Sequence, residues 1–371
     1  MKSPGHPPRR TDVVATSRRR AIAVLLLASL FAPVSAATFC VHDGVELEAA
    51  LASASTNGQD DNIKLAPGAY TPSGASFAYH SSDLHGLTIS GGYAAPPGSP
   101  PCGIFLGGAQ WSVLDGAGSK RLLDTFVQGA SAAPVFVHDL SLAHGAADSS
   151  AVLNMSGSSD WTGDLILENV SVHANTSWLA IAQLSANGRI FVRSSEFFDN
   201  TSTGGSGVIV ALATNRPGSG VAIAFNNNSI AGNSVPATST RAGLAVGGNG
   251  PGDVHIANSI LWGNGGTDLS LTPSGAVILD HDDIGTRAVG GGVVVTDTSP
   301  YLVDPHFVAL HDLRLRADSP LRDAGHTAPI GGSGGTDVDG AARVVFGIVD
   351  IGAHEVQDRI FDEGFDSELG P

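Results

Sequence analysis

The chain has 371 residues, with 19 Lys and Arg against 35 Asp and Glu, a formal net charge of −16 and 48 glycines. So large an acid excess argues against nucleic acid, anionic membranes and polyanionic polysaccharides as partners, because each would be repelled. No phosphate loop, zinc-ligand spacing or nucleophilic triad is visible.

Residues 1–36 read as a secretory signal peptide. Arg18, Arg19 and Arg20 precede an apolar run from Ala21 to Phe31, and Val34-Ser35-Ala36 supplies small residues for cleavage. The run is too short to span a bilayer. Ser17-Arg18-Arg19 only faintly matches a twin-arginine signal, so the general export route is favoured. Removing 1–36 takes away six basic and one acidic side chain, leaving 13 against 34 and a net charge of −21. In an oxidising compartment the two cysteines, Cys40 and Cys102, are expected to form a disulfide that staples the N-terminal end.

GVELEAALASAS (44–55) predicts a short helix, with Val45, Leu47 and Leu51 on its apolar side, covering one end of whatever follows. Asn62–Leu65, Leu87–Ile89 and Val113-Leu114 predict early strands. Then an eleven-residue unit recurs: VFVHDLSLAHG (135–145), LILENVSVHAN (165–175), IFVRSSEFFDN (190–200), IAFNNNSIAGN (223–233) and VHIANSILWGN (254–264). A weaker sixth copy, VILDHDDIGTR, begins at Val277.

Positions one, three and eight of the unit are mostly apolar, position five is small and polar, and position eleven is Gly or Asn. The pattern reads as strand, bend, strand, bend, with the second bend placed at the Gly or Asn because those residues tolerate left-handed backbone. Successive units end 30, 25, 33 and 31 residues apart, room for a third short strand and a variable loop. The economical solution is an all-β, right-handed parallel β-helix in residues 37–325, its coils stacked about 4.8 Å apart. Residues 326–357 read as an irregular C-terminal cap of the same domain, and 358–371 as an acidic tail.

NSILWGN (258–264), YLVDPHF (301–307), DLRLRADSPLRDAG (312–325), DVDGAARVVFG (337–347) and VDIGAHE (349–355) resemble, in order and wording, the bacterial β-helix proteins grouped around the choice-of-anchor Q domain. Ser90-Gly91-Gly92-Tyr93 and Val113-Leu114-Asp115-Gly116 fit the same resemblance, which covers about 320 residues. It implies an exported protein, often at the cell surface, and no established catalytic activity. The last stretch, RIFDEGFDSELGP (359–371), resembles the FxDGFE-type tails of exported proteins of Gram-negative bacteria, departing from them at Glu363 and Asp366. It reads either as a sorting tag or as a tail without a role.

Stacking turns equivalent positions into columns. The fourth position gives His138, Glu168, Arg193, Asn226, Ala257 and Asp280, expected to point outward. This column is either the acid–base cluster of a polysaccharide lyase or hydrolase, or a surface ion-pair ladder, and the ladder is favoured. Asp280, Asp282 and Asp283 are further acid candidates, although the motifs of polygalacturonase-type enzymes are missing and few basic residues are available for lyase chemistry. The ninth position gives His173, Phe198 and Trp262, candidates for stacking on sugar rings or for packing beneath loops. Asp337 and Asp339, with Asp350, begin like a calcium site but lack the loop spacing. A turn and ion-pair network of Asp323, Asp337, Asp339, Arg343 and Asp350 is the favoured alternative. The sequence therefore predicts an exported, non-catalytic binding or adhesion module for a carbohydrate or cell-surface ligand, with no cofactor. A polysaccharide-degrading enzyme and a surface protein without ligand are the alternatives.

Overall fold

Apolar alternation at positions one and three makes strands that stack in register, and the bends between them wind those strands into coils. In the computed structural model, every strand pair that joins successive coils is parallel. The structure describes residues 36–94, 101–214, 220–236, 239, 241 and 243–357, together with residues 1 and 5. The expected export segment (apart from residues 1, 5 and 36) and the tail 358–371 lie outside the described residues. No helix among the described residues is long and apolar enough to cross a membrane.

The chain is a parallel β-helix. One sheet of 16 strands bends to supply two walls, and an 8-stranded sheet supplies the third. The first wall runs from Ala37–Val41 through Asp61–Leu65, Leu87–Ser90, Val135–Ala143 and the later copies to Val295–Thr298. The third wall runs from Phe77–Ser81 to Arg287–Val289 and accounts for the segments between the repeated units. Inside, the columns are continuous. Val137, Leu167, Val192, Phe225, Ile256 and Leu279 lie one above another at 0–1% exposure. Such contiguous apolar area is the main stabilising term for a stack whose units cannot bury their faces alone.

Both bends use left-handed backbone, but only one where the sequence placed it. Position five is left-handed throughout: Asp139, Asn169, Ser194, Asn227, Asn258 and His281 have φ between 45° and 57°. The second bend falls at position ten, at His144, Ala174, Asp199, Gly232 and Gly263, and not at position eleven. Position eleven instead turns inward as a buried asparagine ladder. Each Nδ2 donates to the next Oδ1, Asn175 to Asn200 (3.0 Å), Asn200 to Asn233 (2.9 Å) and Asn233 to Asn264 (2.8 Å). Asn264 donates to Asp268, whose other carboxylate oxygen accepts from Thr286.

At the N-terminal end, Gly44–Ala54 forms the expected helix, α1, capped by the Asp43 side chain accepting from the Glu46 amide (2.9 Å). Leu47, Ala50, Leu51 and Ala54 face the first coil, whereas Val45 is 68% exposed and does not belong to the apolar side. Cys40 and Cys102 are disulfide-bonded, as expected. Closing a loop with a sequence separation of 62 removes about 4 kcal/mol of chain entropy from the unfolded state.

The irregular C-terminal segment is present, and it covers the flank of the solenoid rather than its end. It leaves the later coils at His326, beside Asn258, and runs back toward earlier ones. It passes Asn226 at Ile330 and Gly332, Ser194 at Ser333, Asn169 at Thr336, and Ala109 at Val338. Where it reaches Gly107 and Gly108 the two backbones nearly touch: a Cβ on Gly340 would meet the Gly107 carbonyl carbon at 2.8 Å. The chain then returns, with Ala353 donating to Ser229 Oγ (3.0 Å) and Gly352 to the Asn258 carbonyl (2.8 Å). We call residues 326–355 the strap.

Candidate functional site

Position five explains where the strap lies. A left-handed residue turns its side chain away from both adjoining strands, so the six stacked bends present a row of short polar groups along one edge. The strap bonds to several members of that row. Asn169 Nδ2 donates to Thr336 Oγ1 (2.7 Å), Ser194 Oγ to the Ser333 carbonyl (2.9 Å), and Asn258 exchanges two bonds with the His326 backbone (2.8 and 2.7 Å).

The fourth-position column lies beside this row, and in register: His138 pairs with Glu168, Glu168 with Arg193, Arg193 with Asn226, Asn226 with Ala257 and Ala257 with Asp280. Its members are not free to converge on a substrate. Arg193 holds Glu168 (3.0 Å), donates through Nε to the Gly331 carbonyl (2.8 Å) and lies over the Phe191 ring. Asn226 donates to Ile330 and Gly332. His138 turns to its neighbour Asp139 (2.6 Å) and stacks on Phe136.

The acidic run at 280–283 is split by the left-handed bend at His281, where the strand Val277–Asp280 ends. Asp280 points outward, between His281 Nδ1 (2.8 Å) and His326 Nδ1 (2.7 Å). Asp282 points inward and ends a second polar ladder at position six, accepting from the Ser259 amide (2.8 Å), while Ser259 and Asn228 bond the coils before it. Burial raises its carboxyl well above the ordinary range. Asp283 accepts from the Val303 amide (3.1 Å), and burial raises it to about 6. The three carboxyls therefore do not form a pair across a cleft.

Two aspartates of the strap accept from backbone N–H groups. Asp337 accepts from Ala341 and Glu355, and Asp350 from Asp323 and Val356. Fully buried Arg343 binds Glu355 (2.8 Å) and the carbonyls of Gly352, Ala353 and His354. Asp337 and Asp350 thus serve the turns of the strap, and Arg343 with Glu355 supplies a buried ion pair. His354, absent from the sequence expectations, is the cross-link. Its Nδ1 meets Asp339 (3.0 Å) on the strap and its Nε2 meets Glu196 (2.9 Å) on the solenoid. No periodic signal marks it, because its partners lie 15 and 158 residues away.

The ninth-position aromatics have a different setting. His173 and Phe198 stack on successive coils with centroids 5.1 Å apart and planes within 15°. The column continues through Ala231 to Trp262. A hairpin, Phe307–Ala309 with Asp312–Leu315, stands beside it. Between the two lies a groove of about 510 Å³, lined by Trp262, Ala231, Phe307 and Leu310 with Asp304, His306 and Arg316 at its polar parts.

No family model matches the chain, and no curated protein matches it. Among solved structures, a crystal structure of the pectate lyase Pel9A is similar at 14% identity and a TM-score of 0.36, over 88% of this chain and 98% of that one.

Proposed function

We propose that this protein is an exported, non-catalytic β-helical binding module that takes a neutral or cationic carbohydrate along its ninth-position aromatics. The observation that carries this reading is the contrast between the two outward columns. At position four, ionisable side chains are spent on the strap and on one another. At position nine, His173, Phe198 and Trp262 stay partly exposed and Trp262 opens on a groove with a polar rim. Apolar ring faces combined with a few polar groups suit sugar rings, which carry both kinds of surface. The charge of −16 disfavours uronate-rich polymers. Export and an outer-surface location in a Gram-negative bacterium rest on the basic-apolar segment before residue 37, the disulfide and the acidic tail. Kinship with the choice-of-anchor Q group belongs to the same reading, since its last two motifs, 337–347 and 349–355, lie in the strap.

The test is binding of a panel of neutral, cationic and uronic polysaccharides, read by affinity electrophoresis and calorimetry. We expect retention by a neutral or cationic glycan, weakened at least tenfold in Trp262→Ala and in Phe198→Ala with the circular dichroism unchanged. Release of reducing ends or new double bonds, lost in Glu168→Gln, would overturn the reading in favour of a hydrolase or lyase.

A further inference from the structure

Where the strap leaves the solenoid, three ionisable side chains meet. Asp280 stands at position four of the last repeated unit, His281 is the left-handed residue beside it, and His326 is the first strap residue to touch the coils. Each imidazole presents Nδ1 to a different oxygen of the same carboxylate, at 2.8 and 2.7 Å, with ring centroids 5.8 Å apart. Potential ligand atoms of the three residues lie within 4.8 Å of one another.

We infer that Asp280, His281 and His326 form a binding site for a divalent transition-metal ion of the zinc class. Two imidazoles and one carboxylate suit zinc, cobalt or nickel, whereas calcium and magnesium require mostly oxygen. The protein holds the groups from three directions. Asp280 is fixed by the ladder with Ala257, His281 by its amide donating to the Thr298 carbonyl, and His326 by its two backbone bonds to Asn258.

A third imidazole lies nearby. His255 lies on the preceding coil and is only 6% exposed. It lies two positions before Ala257, the register partner of Asp280, and is near enough to interact with the Asp280 charge. Burial favours its neutral form, the form that binds metal. The site is distinct from the aromatic groove and does not depend on the proposed carbohydrate.

The experiment is titration of the full, tag-free chain with Zn²⁺ by calorimetry and with Co²⁺ by visible absorption. We expect one equivalent to bind with a dissociation constant below about 100 μM, to raise the melting temperature, and to remain bound in excess Ca²⁺ or Mg²⁺. Affinity should fall at least tenfold in His326→Ala and in Asp280→Asn, and on acidification to pH 5. His326 is half-exposed, so its removal leaves the core intact, and His80→Ala, at an exposed imidazole on another wall, should bind as the parent does. No binding below 1 mM, or a loss smaller than tenfold in His326→Ala, overturns the assignment.

Discussion

Asn200 uses its full hydrogen-bonding capacity inside the coil. Its Oδ1 accepts from the amide and side chain of Asn175 (3.1 and 3.0 Å), and its Nδ2 donates to Val172 and Asn233 (2.8 and 2.9 Å). Replacing it with alanine strands several of these groups away from water. At about 1–3 kcal/mol for each buried unsatisfied group, offset by local relaxation, we expect Asn200→Ala to cost roughly 3–5 kcal/mol. Asn154→Ala, at a half-buried site on the outer face of the third wall, should cost about 1 kcal/mol or less. Denaturant midpoints at constant m-value would check both, and equal costs would deny the ladder its role. The sequence showed these asparagines as a column but not their direction. Stacked Asn is compatible both with left-handed backbone and with an inward amide ladder, and the choice depends on which neighbour takes the bend. The ladder's terminator was illegible for a simpler reason: Asp268 lies four residues past Asn264, outside the repeated unit.

At the scale of one element, the strap is held by charges whose environment can be read as a pH dependence. Burial alone would lower the His354 pKa, but the Glu196 charge and the bonds to Asp339 and Glu196 overcome it and raise the value to about 10. Compared with 6.5 in the unfolded chain, this stabilisation is complete below pH 6.5 and is lost as pH rises toward 10. Glu355 is raised to about 7 by burial, against the opposing pull of Arg343. A raised carboxyl binds its proton more tightly in the folded state, so stability also falls as pH climbs from about 4.5 to about 7. The two effects have the same sign. We expect the melting temperature at pH 5.5 to exceed that at pH 8.5 by roughly 5 °C, and His354→Gln to flatten the alkaline limb. A flat or rising profile between pH 6.5 and 8.5 in the parent would contradict it. The strap's aspartates and Arg343 were legible as a network because they are close in sequence. Its path was not, because the bonds that dock it join residues about 70 to 230 positions apart and follow no period.

Over the whole molecule, a stack of coils couples mainly neighbour to neighbour, so its ends are free to unfold separately. The strap alters that arrangement by touching coils from Ala109 and Asn169 to Asn258 and Asp280. It also buries Val338, Ile351 and Ala353 against them. Opening one coil in the middle therefore breaks contacts with a segment that clamps several others, which favours a single cooperative transition. Ending the chain after Gly325 removes the clamp but leaves the interior columns intact. The polar groups of position five would regain water, so the loss comes from the apolar strap residues and from coupling, not from stranded donors. We expect the shortened chain to keep its β spectrum, to melt on the order of 10 °C lower, and to show a broadened or split calorimetric transition. A single sharp transition within about 3 °C of the full chain would show that neighbour contacts alone make the solenoid cooperative.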